Sequence, residues 1–123
     1  MKLCSHNNVV KLYGITTTVD WIVMEFVHDL NLLEYMRIYK ENKINFNQML
    51  HIAAQVACGM NYLGTNRILH IDLRAANVFI DDNHKTKIYG FHLARVLGKD
   101  EDEFQPVKGR DKKRAAAVTL LSK

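Results

Sequence analysis

Two residues whose side chains can do acid–base and metal chemistry lie five positions apart in the stretch HIDLRAAN, residues 70–77. They are Asp72 and Asn77. A carboxylate can orient a hydroxyl group and accept its proton, and an amide oxygen can bind a hard cation such as Mg²⁺. Asp and Asn are also common turn-capping residues. The pair alone therefore leaves a catalytic loop and a structural turn as open interpretations.

The loop lies between a predicted helix and a predicted hairpin. Apolar residues recur every three or four positions from about Asn47 to Leu63, which predicts an amphipathic helix. Gly64 follows the last apolar position and predicts the helix stop. The runs 77–80 and 85–89 flank a polar turn and predict two paired strands. The apolar stripe of the helix contains Phe46, Met49, Leu50, Ala53, Val56, Ala57, Met60 and Leu63.

Two further elements are predicted upstream of this helix. Residues 9–15 and 21–27 are short, strand-like apolar runs separated by the stretch TTTVD, which predicts an antiparallel hairpin. Residues 31–42 carry apolar side chains at helical spacing and predict a short surface helix, with Asn31 or Asp29 as its N-cap. The mixture of strands and helices indicates an α+β fold.

Composition limits the function classes. The 123 residues are 48% apolar and 24% charged, as in an ordinary globular domain, and no apolar run is long enough to predict a membrane span. Cys4 and Cys58 match no metal or redox spacing, which favours reduced thiols in a cytoplasmic protein. The six histidines show no zinc spacing. The basic run 108–114 lacks interleaved aromatic residues, so we expect a solvated tail and no nucleic-acid partner.

The loop HIDLRAAN resembles the protein-kinase catalytic loop, H-R-D-L-x-x-x-N, at four of its five specified positions. Downstream, KIYGFHLARV lies where kinases carry K-I-x-D-F-G-L-A-R. Upstream, HNNVVKLYGI and WIVMEF are similar to the fourth and fifth strands and the hinge, and AAQVACGMNYL is similar to the helix before the loop. The order LRAAN is typical of Src-like cytoplasmic tyrosine kinases. The resemblance covers residues 1–104 and implies a partial protein-kinase fold, with 105–123 as a flexible basic tail.

The resemblance implies a role for each matching residue. Asp72 matches the catalytic base, Arg74 the arginine that helps to position base and substrate, and Asn77 the ligand of the second magnesium ion. Four positions match the adenine site: Met24 as gatekeeper, Glu25 and Val27 as hinge residues, and Phe79 as the apolar floor. Another four match the apolar stack that links the two lobes, namely Met1, Leu12, His70 and Phe91.

Several departures from the family pattern predict an inactive chain. Gly90 replaces the magnesium-binding aspartate, His92 the following glycine, and Ile71 the arginine before Asp72. The glycine-rich loop and the strand-three lysine have no counterpart in the sequence, and Phe104 lies near the position of the activation tyrosine. ATP and Mg²⁺ are the family's cofactors, but we expect this chain not to bind them, because Gly90 and the missing glycine-rich loop leave no cradle for the phosphates.

Two other interpretations remain open. The chain can be a non-catalytic interaction module that binds another kinase or a chaperone through an exposed apolar face of the 47–63 helix. The helices that cover this face in the family have no counterpart in the sequence, and a large exposed apolar patch indicates a partner or aggregation. The chain can also be a degraded gene product without a selected activity.

Overall fold

The computed structural model of the chain describes residues 5–19, 21–27, 30–39 and 44–98. The elements are, in chain order, strands β1 (Leu12–Ile15), β2 (Ile22–Met24) and β3 (Leu30–Asn31), helices α1 (Leu32–Ile38) and α2 (Phe46–Thr65), and strands β4 (Ile68–Leu69), β5 (Val78–Ile80), β6 (Thr86–Ile88) and β7 (Arg95–Val96). The expectations for Met1, Cys4, Asp29, Phe104 and the tail 105–123 lie outside the described residues.

The strands of the described ranges form three small antiparallel sheets. β1 pairs with β2, as the upstream hairpin predicts, and β4 pairs with β7. β5 lies between β3 and β6 and is the central strand of the largest described sheet. The loop 70–77 therefore leads directly into this central strand. The combination of these sheets with two helices confirms the α+β class.

The hairpin after the loop forms as the sequence predicts. Val78 and Ile80 of β5 are buried, and Phe79 between them is half-buried on the other face, because side chains alternate along a strand. Asp81 closes the turn to β6, since its Oδ1 accepts two backbone N–H groups of the turn at 2.8 Å. The register is therefore fixed by both the alternation and the turn.

Helix α1 begins with a reciprocal cap. The side chain of Asn31 accepts the backbone N–H of Glu34 at 2.9 Å, and the Glu34 carboxylate accepts the N–H of Asn31 at 3.4 Å. This arrangement is a capping box, and it confirms Asn31 as the N-cap. The helix ends at Ile38, before the end of the predicted segment 31–42.

Helix α2 begins at a second capping box and ends later than the sequence predicts. The side chains of Asn45 and Gln48 each accept the other's backbone N–H, at 2.8 and 3.0 Å. The prediction that Gly64 stops the helix is wrong, because helical hydrogen bonding continues to Thr65. The left-handed residue that closes the helix is Arg67, whose N–H donates to the Gly64 carbonyl at 2.9 Å.

The buried face of α2 differs from the predicted stripe. Ile52, Gly59 and Leu63 are the buried residues of this helix, and Leu63 alone also belongs to that stripe. The amino-terminal part of the stripe faces solvent, with Phe46 72% and Leu50 58% exposed. The helix carries apolar residues on more than one side, so periodicity alone does not identify the side that packs.

The buried face of α2 supports a polar junction between distant parts of the chain. The Asn8 amide nitrogen donates to Gln55 Oε1 at 3.1 Å and to the Thr86 carbonyl at 3.0 Å, and Gln55 Oε1 also accepts the Thr86 N–H at 2.9 Å. A Cβ on Gly59 would lie 2.8 Å from both the Asn8 carbonyl oxygen and Cδ1 of Ile88. Glycine at position 59 therefore permits Asn8 and Ile88 to approach the backbone of α2 closely.

An apolar cluster of Val9, Leu63 and Ile68 lies beside this junction and connects the chain start, the end of α2 and β4. Through these contacts, α2 and its neighbours hold the two ends of the loop 70–77. In the described ranges, neither helix combines the length and the apolarity that crossing a bilayer requires.

Candidate functional site

The loop 70–77 is anchored by His70. This side chain is 2% exposed, its Nε2 donates to the Tyr89 carbonyl at 2.8 Å, and its Nδ1 accepts the backbone N–H of Asp72 at 3.3 Å. Burial lowers the pKa of His70, and the neutral ring with a proton on Nε2 satisfies both contacts. His70 is thus a packed structural residue, and it aims the backbone at Asp72.

The residue between them adopts an unusual backbone conformation. Ile71 has a φ of +69°, a left-handed value that is a genuine outlier for a β-branched side chain. Such a residue costs about 1–3 kcal/mol and persists only where its surroundings hold it. Here the two hydrogen bonds of His70 supply that support. The loop therefore keeps a strained geometry although Ile71 replaces the arginine of the family motif.

The carboxylate of Asp72 contacts three side chains through the same oxygen. Oδ2 accepts from the Asn77 amide nitrogen at 2.9 Å, and it lies 3.3 Å from His92 Nε2 and 3.4 Å from Arg74 Nε. The structure therefore brings together Asp72, Arg74 and Asn77, the three catalytic-loop residues that the resemblance identifies. Oδ2 of Asp72 is therefore already in contact with three side chains of the same chain.

His92 is a member of this site that the sequence does not predict as such. From the sequence, His92 is identified only as a replacement for glycine. Its position in the sequence does not indicate a contact with Asp72, which lies 20 residues earlier. Its side chain is 39% exposed and reaches Asp72 from the segment after Gly90. The signal that could have indicated this role is the residue type: histidine, which can form hydrogen bonds, lies where the family motif has glycine.

Asn77 is turned toward Asp72. Its amide nitrogen donates to both the carbonyl and the carboxylate of Asp72, at 2.8 and 2.9 Å, and the residue is 5% exposed. Its Oδ1 is thus the atom that remains for a cation. No group of three or more His, Cys, Asp or Glu side chains in the described part of the chain could hold a metal ion. The donors that this site offers to Mg²⁺ are the Asp72 carboxylate and the Asn77 amide oxygen, and Gly90 adds no side-chain oxygen.

Gly90 lies directly beneath the Asn77 side chain. Its backbone is left-handed, with φ 89° and ψ 39°, and a Cβ at this position would lie 2.5 Å from Asn77 Cγ and 2.7 Å from both amide atoms. Contacts under 3.0 Å require one partner to move. Asn77 fills the space that an aspartate side chain at position 90 would need. Glycine fits at this position because it has no side chain.

The predicted hinge is connected to β6. Glu25 Oε1 accepts the Lys11 backbone N–H at 2.6 Å and the Lys87 ammonium at 2.8 Å, and the Glu25 N–H donates to the Lys11 carbonyl. Burial works to raise the pKa of Glu25, but the contacts with Lys87 and Lys11 outweigh it and hold the pKa below its ordinary value. The sequence does not predict the contribution of Lys87.

The remaining predicted site residues lie around this connection. Met24 ends β2, and Val27 follows it; both are half-buried. Phe79 lies opposite Lys87 on the hairpin, and its ring contacts the edge of Tyr89 with centroids 5.2 Å apart. Since residues directly opposite each other on paired strands share a face, Glu25 of the hinge reaches the Phe79 face of the hairpin through its contact with Lys87.

The predicted apolar stack is partly described. The rings of His70 and Phe91 make an edge contact with centroids 4.9 Å apart. Leu12, which the resemblance also places in the stack, is half-buried in β1. The structure thus brings together the two stack members that flank the Asp72 site.

Comparison with known proteins identifies the source of these motifs. The family model described as protein tyrosine and serine/threonine kinase matches residues 1–118. Tyrosine-protein kinase Src64B of Drosophila melanogaster is 38% identical over 111 residues, which is 89% of this chain and 20% of that protein. Tyrosine-protein kinase SRK3 of Spongilla lacustris is 34% identical over 111 residues, 89% of this chain and 33% of that protein.

Tyrosine-protein kinase Abl of Drosophila melanogaster is 35% identical over 102 residues, which is 81% of this chain and 6% of that protein. The chain thus spans a third or less of the length of these curated relatives. The similarity therefore reaches across the catalytic loop and the hinge, but it concerns only one part of each relative.

Proposed function

The chain belongs to the protein tyrosine and serine/threonine kinase family, and we propose that it is a segment of a Src-like tyrosine kinase domain that does not transfer phosphate. The observation that carries this proposal is the Asn77 side chain packed over Gly90, with its amide nitrogen directed at Asp72. In the family this region binds magnesium. Here it is closed by contacts among the chain's own residues.

The electrostatics of the site support inactivity. Phosphoryl transfer requires cations and donors that cancel the charge of the triphosphate, and removing one preorganised group of this kind costs about 10²–10³ in rate. Gly90 supplies no carboxylate, and Asn77 supplies a single amide oxygen. Asp72 can accept a proton, which is worth about 10²–10⁴, but only with both substrates held beside it.

The positions of the adenine site support descent from a nucleotide-binding domain. Met24, Glu25, Val27 and Phe79 match the residues that contact adenine in the family, and all four are half-buried. They do not supply a phosphate-binding group. We propose that ATP·Mg²⁺ is not bound with useful affinity.

We also propose that the protein is cytoplasmic, where a thiol such as that of Cys58 stays reduced.

Nucleotide binding by the purified full chain tests this proposal. Once a cooperative thermal transition has been recorded, millimolar ATP·Mg²⁺ is expected to leave its midpoint unchanged, because a ligand stabilises only a protein that binds it. The kinase domain of Src64B serves as the positive control. A concentration-dependent rise in the midpoint, or transfer of labelled phosphate to a tyrosine peptide, would contradict the proposal.

Restoring the missing carboxylate provides a second test. The variant Gly90→Asp is expected to remain inactive, because its Cβ collides with Asn77 and the backbone there is left-handed. Measurable peptide phosphorylation by this variant, after removal of contaminating kinases, would show that Gly90 is the sole defect.

A second candidate function is favoured by the exposed start of α2. Phe46, Met49 and Leu50 are 72%, 49% and 58% exposed, which is unusual for three large apolar side chains on one helix. This surface supports a non-catalytic module that binds another kinase or a chaperone. In a pull-down from cell extract, the double variant Phe46→Asp, Leu50→Asp should lose the partner, whereas Asn47→Asp, an exposed polar control, should keep it.

A further inference from the structure

A cavity of about 300 Å³ lies away from the Asp72 site, between α1, the start of α2 and the β5–β6 turn. Its described lining combines aromatic, acidic and amide side chains, namely Tyr35, Tyr39, Ile44, Gln48, Asp81, Asp82 and His84. Ligand pockets in proteins span about 300–1,000 Å³. The cavity is thus at the lower limit of that range, and it suits a single side chain better than a nucleotide.

The charge of the described lining is negative. Asp81 and Asp82 are adjacent at the start of the turn, and the described lining contains no lysine or arginine. Asp81 is held in place because its Oδ1 accepts two backbone N–H groups of the turn. Asp82 is exposed, so its carboxylate can reorient toward a ligand. The pair favours a cationic group.

The aromatic wall of the cavity is also fixed. The rings of Tyr35 and Tyr39 lie 4.6 Å apart with an angle of 40° between their planes. The Tyr35 hydroxyl lies 3.1 Å from His84 Nε2, and the two rings meet edge to face. Aromatic faces attract lysine and arginine cations. The wall therefore adds to the attraction of the two carboxylates.

The His84 ring contacts two side chains of the cavity wall through Nε2. Gln48 Oε1 accepts the backbone N–H of Asn45, so the Gln48 nitrogen is directed at His84 Nε2, 3.5 Å away. An amide nitrogen can only donate. Tyr35 and Gln48 therefore hold the His84 ring at the wall, and the carboxylates of the described lining are those of Asp81 and Asp82.

We propose that this cavity binds the guanidinium group of an arginine side chain presented by a partner peptide. A guanidinium group is planar, pairs with carboxylates through two N–H groups and stacks on aromatic rings, which matches the combination of acidic and tyrosine side chains. The inference is independent of nucleotide binding, because none of the lining residues belongs to the Asp72 site or the hinge.

A titration of the isotopically labelled full chain tests the proposal. The probe is an acetylated and amidated Gly-Arg-Gly peptide, and the control is the same peptide with citrulline, which keeps the shape but lacks the charge. The arginine peptide should shift the amide resonances of Tyr35, Tyr39, Gln48 and His84 with millimolar affinity. The citrulline peptide should not. Equal shifts with both peptides, or none with either, would overturn the proposal.

Two substitutions identify the contacts. Asp82→Asn should weaken binding of the arginine peptide about 2- to 5-fold, as expected for an exposed ion pair, and Tyr39→Leu should weaken it about 2-fold or more. Asp72→Asn changes the net charge equally at a described residue that does not line the cavity, and it should leave the affinity for the arginine peptide unchanged. If Asp72→Asn weakens binding as much as Asp82→Asn, the effect is one of overall charge and the assignment is wrong.

Discussion

Replacement of Gly90 by alanine should destabilise the chain by about 2–5 kcal/mol. The left-handed backbone at this position, with φ 89°, costs a residue with a side chain about 1–2 kcal/mol. The Cβ would also lie 2.5 Å from Asn77 Cγ, and overpacking of this kind costs about 1–3 kcal/mol. Urea unfolding, followed by circular dichroism, gives the free energy of unfolding of each variant.

A double-mutant cycle separates the two contributions. In the Asn77→Ala background the collision is removed, so Gly90→Ala should cost only the backbone part, about 1–2 kcal/mol. Gly14→Ala is the matched control, since a Cβ on Gly14 meets nothing within 4 Å; it should be neutral or stabilising by up to about 1 kcal/mol. If Gly90→Ala is as harmless as Gly14→Ala, or if the two substitutions are strictly additive, Asn77 does not fill the space above residue 90.

Two further predictions concern the positioning of the site. Gly59→Ala should lower the free energy of unfolding by about 1–3 kcal/mol, because its Cβ meets backbone at 2.8 Å, whereas Gly64→Ala should raise it by up to about 1 kcal/mol through helix propensity; the same urea titration measures both, and the reverse order would contradict the packing of the chain start on α2. Because the pKa of Glu25 lies below its ordinary value of 4.5, the folded state holds this proton less tightly than the unfolded state does. The stabilisation by Glu25 is therefore present above pH 4.5 and lost as the pH falls through the lowered value. Urea midpoints of wild type and Glu25→Gln, measured from pH 7 downward, should converge in acid, and a constant difference would exclude the Lys87 contact as its source.

The local elements could be predicted because their signals lie within short stretches of sequence. The alternation of Val78, Phe79 and Ile80 predicts the hairpin, and Asn31 is one of the two residues predicted as the N-cap of α1. The end of α2 could not be predicted in this way. Gly64 has the residue type of a helix stop, but backbone hydrogen bonds place the left-handed residue at Arg67.

The sequence predicts which residues form the candidate site, but it does not predict how their side chains are arranged. The motif identifies Asp72 and Asn77, but the direction of the Asn77 amide depends on the space above Gly90, and the contact of His92 with Asp72 depends on the path of the chain after β6. The buried face of α2 was missed for a similar reason. Gly59 is buried because Asn8 approaches it, and a long-range approach of this kind leaves no periodic signal.

The junction of Asn8 with Gln55 and Thr86 constrains the order of events during synthesis. Asn8 leaves the ribosome well before its partner Thr86, which lies 78 positions later in the chain. Until that residue emerges, Val9 and Val10, both buried in the finished fold, have no hairpin to pack against. Until the β5–β6 hairpin has emerged, the nascent chain therefore exposes a short β-prone segment, which is the kind of segment that holding chaperones protect from aggregation.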